Sequence, residues 1–328
     1  MKFDKKRFFI TILIVLIPAF FIFSKKVEAT PYAVLINGGH NTSSNNIAFW
    51  NDLSAIYTTL VNNYGYQDEN IYVLNSDGTN TNNDRNTVIN PWADRSDWTY
   101  SYSNSPLDLD NDGDNDIHYA ATYSALSTVF STLASTMTPN DGLFVFVTDH
   151  GGSDGGTETN LAMWNSIIDD DVFASLVDLI SDYAYEIFSF QQCYSGGFID
   201  ELSGENRVIM TATDYDKSAY YWVNDYSEYN HELTNALSGL GDYNEDGYVS
   251  MLEAYNYVLA NDDFALGYDS DGDDVPDTWE YPQFDDPSGI GRYLTLTGII
   301  PEPTTMLLLA SLATGLFGFA GLRKRFKR

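Results

Sequence analysis

The sequence is short of cysteine and of positive charge, and each shortage excludes something. Its 328 residues hold one cysteine, Cys193, so no internal disulfide can brace the fold. A single thiol on an exported chain is either a small buried hydrophobe or a working group, because exported domains ordinarily use cysteines in pairs. Lys and Arg number 16 against 47 Asp and Glu, and most of the basic residues crowd the two ends. Between residues 30 and 300 only Arg85, Arg95, Arg207, Lys217 and Arg292 remain, against 44 carboxylates, a net charge near −39 with histidine neutral. Such a surface repels nucleic acid and anionic lipid and gains from bound cations. The 24 Tyr and 19 Phe still supply ample apolar surface for a core, so this is not a disordered acidic tail.

The ends carry sorting information. Lys2, Lys5, Lys6 and Arg7 precede an apolar stretch from Phe8 to Phe23, and Val27-Glu28-Ala29 offers a cleavage site, which predicts a signal peptide over 1–29. At the other end Pro301-Glu302-Pro303 is followed by an apolar run from Met306 to Leu322 and then by Arg323, Lys324, Arg325, Lys327 and Arg328. A hydrophobic helix closed by a basic cluster is expected to span the membrane with its tail held inside. The triplet, helix and basic tail in this order resemble the PEP-CTERM sorting signal of Gram-negative bacteria. The resemblance implies membrane residence during sorting, recognition by an exosortase-type enzyme, and a secreted or cell-surface product.

Between the ends, apolar runs alternate with helical patterns. Strands are predicted at Tyr32–Ile36, Ile71–Leu74, Leu143–Val147, Tyr185–Phe190 and Arg207–Thr211, and helices around 47–64, 123–133 and 172–180. This alternation predicts an α/β domain over 30–240 with a mostly parallel sheet. The Asn/Ser/Thr/Asp-rich segment 75–104 reads as a long surface loop.

Two predicted strands end in chemically equipped turns. Leu143–Val147 runs into Thr148-Asp149-His150-Gly151-Gly152, and Tyr185–Phe190 into Gln191-Gln192-Cys193-Tyr194-Ser195-Gly196. Ligands of open parallel sheets bind at the carboxyl ends of strands, so both turns should face one crevice. A thiol nucleophile needs a nearby imidazole and backbone donors for the oxyanion. These motifs, with the strand Ala33–Ile36 and the segment Val208–Ser218, resemble the legumain family of cysteine peptidases. The resemblance implies a caspase-like three-layer fold, His150 and Cys193 as catalytic dyad, and an oxyanion hole from the N–H groups of Cys193 and Gly151. The chain departs from the asparagine-specific pattern: no Arg lies in 37–50, and Gln191 stands where the family has Glu. None of the five basic residues lies in the loops of His150 or Cys193. The resemblance implies a selectivity pocket after the strand that follows the cysteine, so Gln191, Asp214, Asp216, Ser218 and Asp225 are the expected pocket residues, with a basic or polar side chain preferred on the acyl side of the cut.

Three acidic loops point to Ca²⁺, which takes hard oxygen ligands at alternating positions. Asp242, Asn244, Asp246, Tyr248, Ser250 and Glu253 occupy the ligand places of an EF-hand loop, with Gly247 at the sharp turn. Asp269, Asp271, Asp273, Asp277 and Glu280 lack that glycine and resemble a thrombospondin type 3 calcium repeat. Asp108, Asp110, Asp112 and Asp116 form a third cluster. The domain plan is a signal over 1–29, a peptidase domain over 30–240, calcium loops over 241–300 and a sorting signal over 301–328. The function expected is cleavage of a protein or peptide substrate by an exported, calcium-binding cysteine endopeptidase. The rivals are a non-catalytic calcium-binding surface protein on the same scaffold, and a transpeptidase or protein ligase.

Overall fold

Apolar runs short enough for strands and polar on neither face must be covered from both sides, and they are. The structure is a computed structural model describing residues 29–267 and 279–300. The signal segment up to residue 28, the expected ligands Asp269, Asp271, Asp273 and Asp277, and the sorting segment 301–328 lie outside the described residues. Strand β1 (Pro31–Asn37) leads into helix α1 (Ile47–Tyr64), which is N-capped by Asn46 and ends on Gly65 in the left-handed conformation. Strand β2 (Ile71–Asn75) follows, then a hairpin of β3 (Arg85–Val88) and β4 (Tyr100–Ser103), the short β5 (Ile117–Tyr119) and helix α2 (Tyr123–Thr136). Next come β6 (Gly142–Val147), a three-stranded meander of β7 (Gly151–Gly155), β8 (Glu158–Met163) and β9 (Ser166–Asp169), and helix α3 (Asp170–Val177). Then follow β10 (Tyr185–Phe190), α4 (Phe198–Leu202), β11 (Arg207–Thr211), α5 (Glu228–Asn235), α6 (Met251–Asn261), the short helix α7 (Asp263–Leu266), β12 (Gln283–Asp285) and a small pair of β13 (Leu294–Thr295) and β14 (Gly298–Ile299).

The main sheet has the order β12-β11-β10-β6-β1-β2-β5, and every pairing is parallel except β11 with the edge strand β12. Alternate residues of each strand point to opposite faces. Ala33, Leu35, Phe144, Phe146, Ile187 and Met210 pack against α1, α5 and α6. Val34, Ile36, Val145, Val147, Phe188 and Phe190 pack against α2, α3 and α4. The result is the expected α/β/α sandwich, a mixed fold with a mostly parallel seven-stranded sheet of caspase-like character. Each buried Phe or Leu contributes about 1.5–3 kcal/mol of transfer free energy, so truncating Phe146 to Ala should cost about 3–5 kcal/mol.

One expectation is corrected. Segment 75–104 is not a plain loop: it contains β3 and β4, paired in register from Arg85 opposite Ser103 to Val88 opposite Tyr100. Residues beyond 240, expected as acidic loops packed on or following the domain, contribute to its core. Val249, Met251, Ala254, Val258, Leu294 and Leu296 join the core on the α1 side, and β12 extends the sheet. Among the described residues no helix is long and apolar enough to cross a membrane, and the expected span Met306–Leu322 lies outside them.

Candidate active site

Strand register brings the two equipped turns together. Val147 of β6 stands opposite Phe190 of the adjacent parallel β10. His150 and Cys193 each lie three residues past that pair, at the carboxyl edge of the sheet. On the other side Val147 pairs with Ile36, which places Asn37-Gly38-Gly39 beside Thr148-Asp149. His150, Cys193 and Gln191 line one cavity of about 470 Å³, together with Arg95, Trp98 and Tyr221. Ser218 lines the same cavity.

The turn after β10 is tightly held. Tyr194 adopts φ 61°, a left-handed conformation that an L side chain takes only when its surroundings impose it. Its N–H donates to the carbonyl of Lys217 at 2.8 Å. The half-buried Cys193 thiol reaches the carbonyl of Ala219 at 3.6 Å. Gly151 is required for the close approach of the two turns, since a Cβ there would collide with the Cys193 carbonyl oxygen and with Gln192. Gly38 is squeezed in the same way against Ala162 and Met163.

The imidazole is oriented by a group that has no residue signature. His150 Nε2 lies 3.0 Å from the carbonyl oxygen of Ser44. A carbonyl only accepts, so Nε2 carries the proton there and Nδ1 of the neutral ring keeps its lone pair. The ring packs edge-on against Phe49 of α1, with centroids 5.0 Å apart, and faces Tyr221 at 6.4 Å. Burial pushes the His150 pKa below the usual imidazole value, which favours the neutral base.

Two buried carboxyl groups brace the edge from beneath, and motif reading assigned neither. Asp149 accepts from the N–H groups of Gly38 at 2.5 Å, Gly39 at 2.9 Å and His150 at 2.6 Å, which ties the loop after β1 to the histidine turn. Burial nevertheless raises its pKa to about 8. Asp52, on the core face of α1, accepts from the Thr148 hydroxyl at 2.6 Å and from the N–H of Ser227 at 3.2 Å. Burial raises its pKa to about 7. The available signal for Asp52 was a lone acid among Phe49, Leu53 and Ile56 on an apolar helical face.

The expected pocket is gathered only in part. Gln191 and Ser218 line the cavity, but Asp214, Asp216 and Asp225 do not. Asp214 accepts from the N–H of Tyr215, and Asp216 pairs with Lys217 at 3.2 Å. Asp225 lines a separate hollow with Trp222 and His231.

The acidic loops also differ from one another. Oxygens of Asp108, Asp110 and Asp116 come within 4.8 Å of one another, a hard-oxygen set that fits Ca²⁺. Asp112 lies in the same turn, where it accepts from the N–H of Asp114. In the EF-hand-like loop, Asp242 accepts from Asp246 and Gly247, and Asp246 accepts from Tyr248. Asn244 also accepts from the N–H of Asp246. Glu253 turns back to Ser250 in a capping box, with one carboxylate oxygen 2.8 Å from the hydroxyl. Glu280 is fully buried, and its carboxylate accepts from the N–H of Tyr220, beside the crevice instead of in a surface loop.

A half-buried thiol and an oriented imidazole thus line one cavity at adjacent strand ends. The model of the Peptidase C13 family matches residues 31–248, most of the described chain, and the protein belongs to that family, which is one of cysteine-type peptidases. The PEP-CTERM protein-sorting motif matches residues 300–325 and marks a secreted, cell-surface protein handled by an exosortase-type enzyme. No curated protein matches the chain.

Proposed function

We propose that this protein is an endopeptidase in which Cys193 is the nucleophile and His150 its acid–base partner. The observation that carries the reading is the equal offset of the two residues from the Val147–Phe190 pair, with both side chains on one cavity. The Cys193 sulfur adds to the substrate carbonyl carbon, and the N–H groups of Cys193 and Gly151 receive the oxyanion. Collapse breaks the C–N bond, and the amine leaves with the proton that His150 Nδ1 has taken from the thiol. Water, deprotonated by the same nitrogen, then cleaves the thioester to a carboxylic acid and regenerates the thiol. The Ser44 carbonyl holds the ring through both steps.

Calcium is part of the proposal as a structural partner, bound first by Asp108, Asp110 and Asp116. Ca²⁺ there would relieve repulsion among carboxylates, and no chemical step is assigned to it. The N-terminal segment is proposed to be a cleaved export signal.

The test is peptide hydrolysis by the processed protein. Cys193→Ala should abolish it, and His150→Ala should lower it by roughly a thousandfold or more, with unchanged melting. Most of the activity surviving in Cys193→Ala would refute the reading. Added amines appearing in product masses would mark a transpeptidase working through the same thioester.

A further inference from the structure

Sequence order kept every cation away from the reactive loops, but the fold does not. Four of the five basic residues of the region 30–300 are engaged elsewhere. Arg207 pairs with Glu186 at 2.7 Å and Asp178 at 3.0 Å, and Lys217 pairs with Asp216. Arg85 lies over Trp50, 5.1 Å from the ring centroid, and Arg292 lies over Tyr293. Arg95 stands apart. It sits on a short 3₁₀ turn (Arg95–Asp97) at the far end of the β3–β4 hairpin and lines the cavity of Cys193 and His150.

Three features fit Arg95 to an anionic ligand. It forms no ion pair with any described residue, although Asp94 and Asp97 flank it in sequence. Its guanidinium lies over Trp98, 5.8 Å from the ring centroid, and Trp98 is itself fixed by a 3.0 Å bond from its indole N–H to the Ala93 carbonyl. The cavity offers further donors in the hydroxyls of Ser218, Tyr220 and Tyr221. Its one acid, Asp149, is already occupied by three backbone N–H groups. After burial and His40, the charge of Arg95 is among the influences that lower the His150 pKa, so its field reaches the reacting atoms.

Resting on the thiol reading of the site, we propose that Arg95 is the specificity-determining residue and selects an acidic side chain on the residue whose carbonyl Cys193 attacks. That residue carries its side chain only a few bonds from the sulfur, so it must enter the cavity that the sulfur lines. Asp or Glu there meets a stacked guanidinium with no ion-pair partner among the described residues, and a charge-assisted bond of this kind is among the stronger polar contacts. Lys or Arg would instead bring like charge against Arg95. The preference for basic residues expected from Asp214, Asp216 and Asp225 is thereby reversed.

The experiment has one arm that needs no peptide cleavage. Cys193 is alkylated with iodoacetate and, separately, with iodoacetamide; in each case the sulfur forms a C–S bond, iodide leaves and the thiol proton goes to solvent. An anion-steering pocket should raise the iodoacetate-to-iodoacetamide rate ratio about tenfold over Arg95→Gln, with Arg95→Lys in between. In the second arm, matched peptides with Asp, Asn or Lys at the attacked residue are cleaved by wild type and Arg95→Gln. The Asp-to-Asn rate ratio should fall about tenfold or more in the variant. An alkylation ratio indifferent to Arg95, a folded protein whose thiol neither reagent reaches, or a wild-type preference for Lys overturns the inference. A ratio that follows Arg95 while no peptide is cut sustains the anion pocket and sinks the peptidase reading. Peptides cut with the same preference by both proteins do the reverse.

Discussion

Two carboxylate populations in this molecule are held by different means. Asp52 and Asp149 lie beneath the crevice with almost no exposure, and the chain's own backbone and hydroxyl donors surround them. The loop acids Asp108, Asp110, Asp112, Asp242 and Asp246 sit at the surface, tied only by short local turns within their own loops. The first group is organised by the fold and should respond to protons. The second is crowded with like charge and should respond to cations. The crevice is therefore built by the chain itself, whereas in the proposed reading the loops await a cation from the solution around them.

The sharpest way to break this contrast is to disturb the crevice without touching the loops. Gly151→Ala introduces a Cβ where the Cys193 carbonyl stands, so the two turns must separate. A displacement of about 1 Å at reacting groups can cost on the order of 100-fold in rate, and a loss of that size is expected in peptide cleavage. Its melting should still rise with calcium as in wild type. Unimpaired cleavage by Gly151→Ala would show that close approach of the turns is not needed.

The loops should dominate stability. Each calcium site at a hundredfold excess over Kd adds about 2.7 kcal/mol, so two sites supply several kcal/mol to a fold of ordinary stability, about 5–15 kcal/mol. Millimolar Ca²⁺ should raise the melting temperature far more than Na⁺ at equal ionic strength. Asp116→Ala should blunt that rise, because Asp116 belongs to the cluster that is already gathered. Glu253→Ala should blunt it less, and should mostly remove the capping box on α6, worth about 0.5–2 kcal/mol. Equal melting curves in excess calcium and excess chelator would erase the distinction between the two regions.

How much of this was legible follows from the kinds of atoms involved. Strands β1, β6, β10 and β11 could be read because strands buried on both faces are mostly apolar, even with Glu186 and Ser189 inside β10, and Tyr185–Phe190 was bounded to the residue. The meander β7–β9 was missed because its first strand, Gly-Gly-Ser-Asp-Gly, is polar and mostly exposed. The hairpin β3–β4 was missed because its strands are only four residues long and lie in an Asn/Ser/Thr/Asp-rich segment that reads as turns. The thiol and imidazole were readable as side chains after strands, and Gly151 as a glycine beside one. Ser44 acts through its carbonyl, which every residue possesses, so composition is silent on it. Arg95 reaches the cavity through tertiary packing of a hairpin that no motif announced.

The smallest expected effect separates protons from calcium directly. An unfolded aspartate titrates near 3.9, whereas burial raises folded Asp52 to about 7 and folded Asp149 to about 8. Below both values the folded and unfolded states hold the same proton. Between them the folded state keeps a proton that the unfolded state has released, so stability falls as pH rises and levels off above the folded value. The hydrogen bonds to each carboxylate oppose this shift, and burial outweighs them. In excess chelator, where the loop sites contribute nothing, unfolding free energy should therefore drop between pH 5 and pH 8, by about 1.4 kcal/mol for each pH unit over which one of these groups is protonated in the folded state alone. Calcium sites behave oppositely, since protonated carboxylates release the ion and stability then falls on acidification. Asp52→Asn keeps the size and one acceptor oxygen for Thr148 and Ser227 but cannot titrate, so it should flatten part of the slope. Urea melts across that pH range read both effects. A slope that Asp52→Asn leaves unchanged would move the proton to Asp149 or to the pair of Glu186 and Arg207, and a slope of opposite sign in chelator would mean these buried acids are ionised in the folded state.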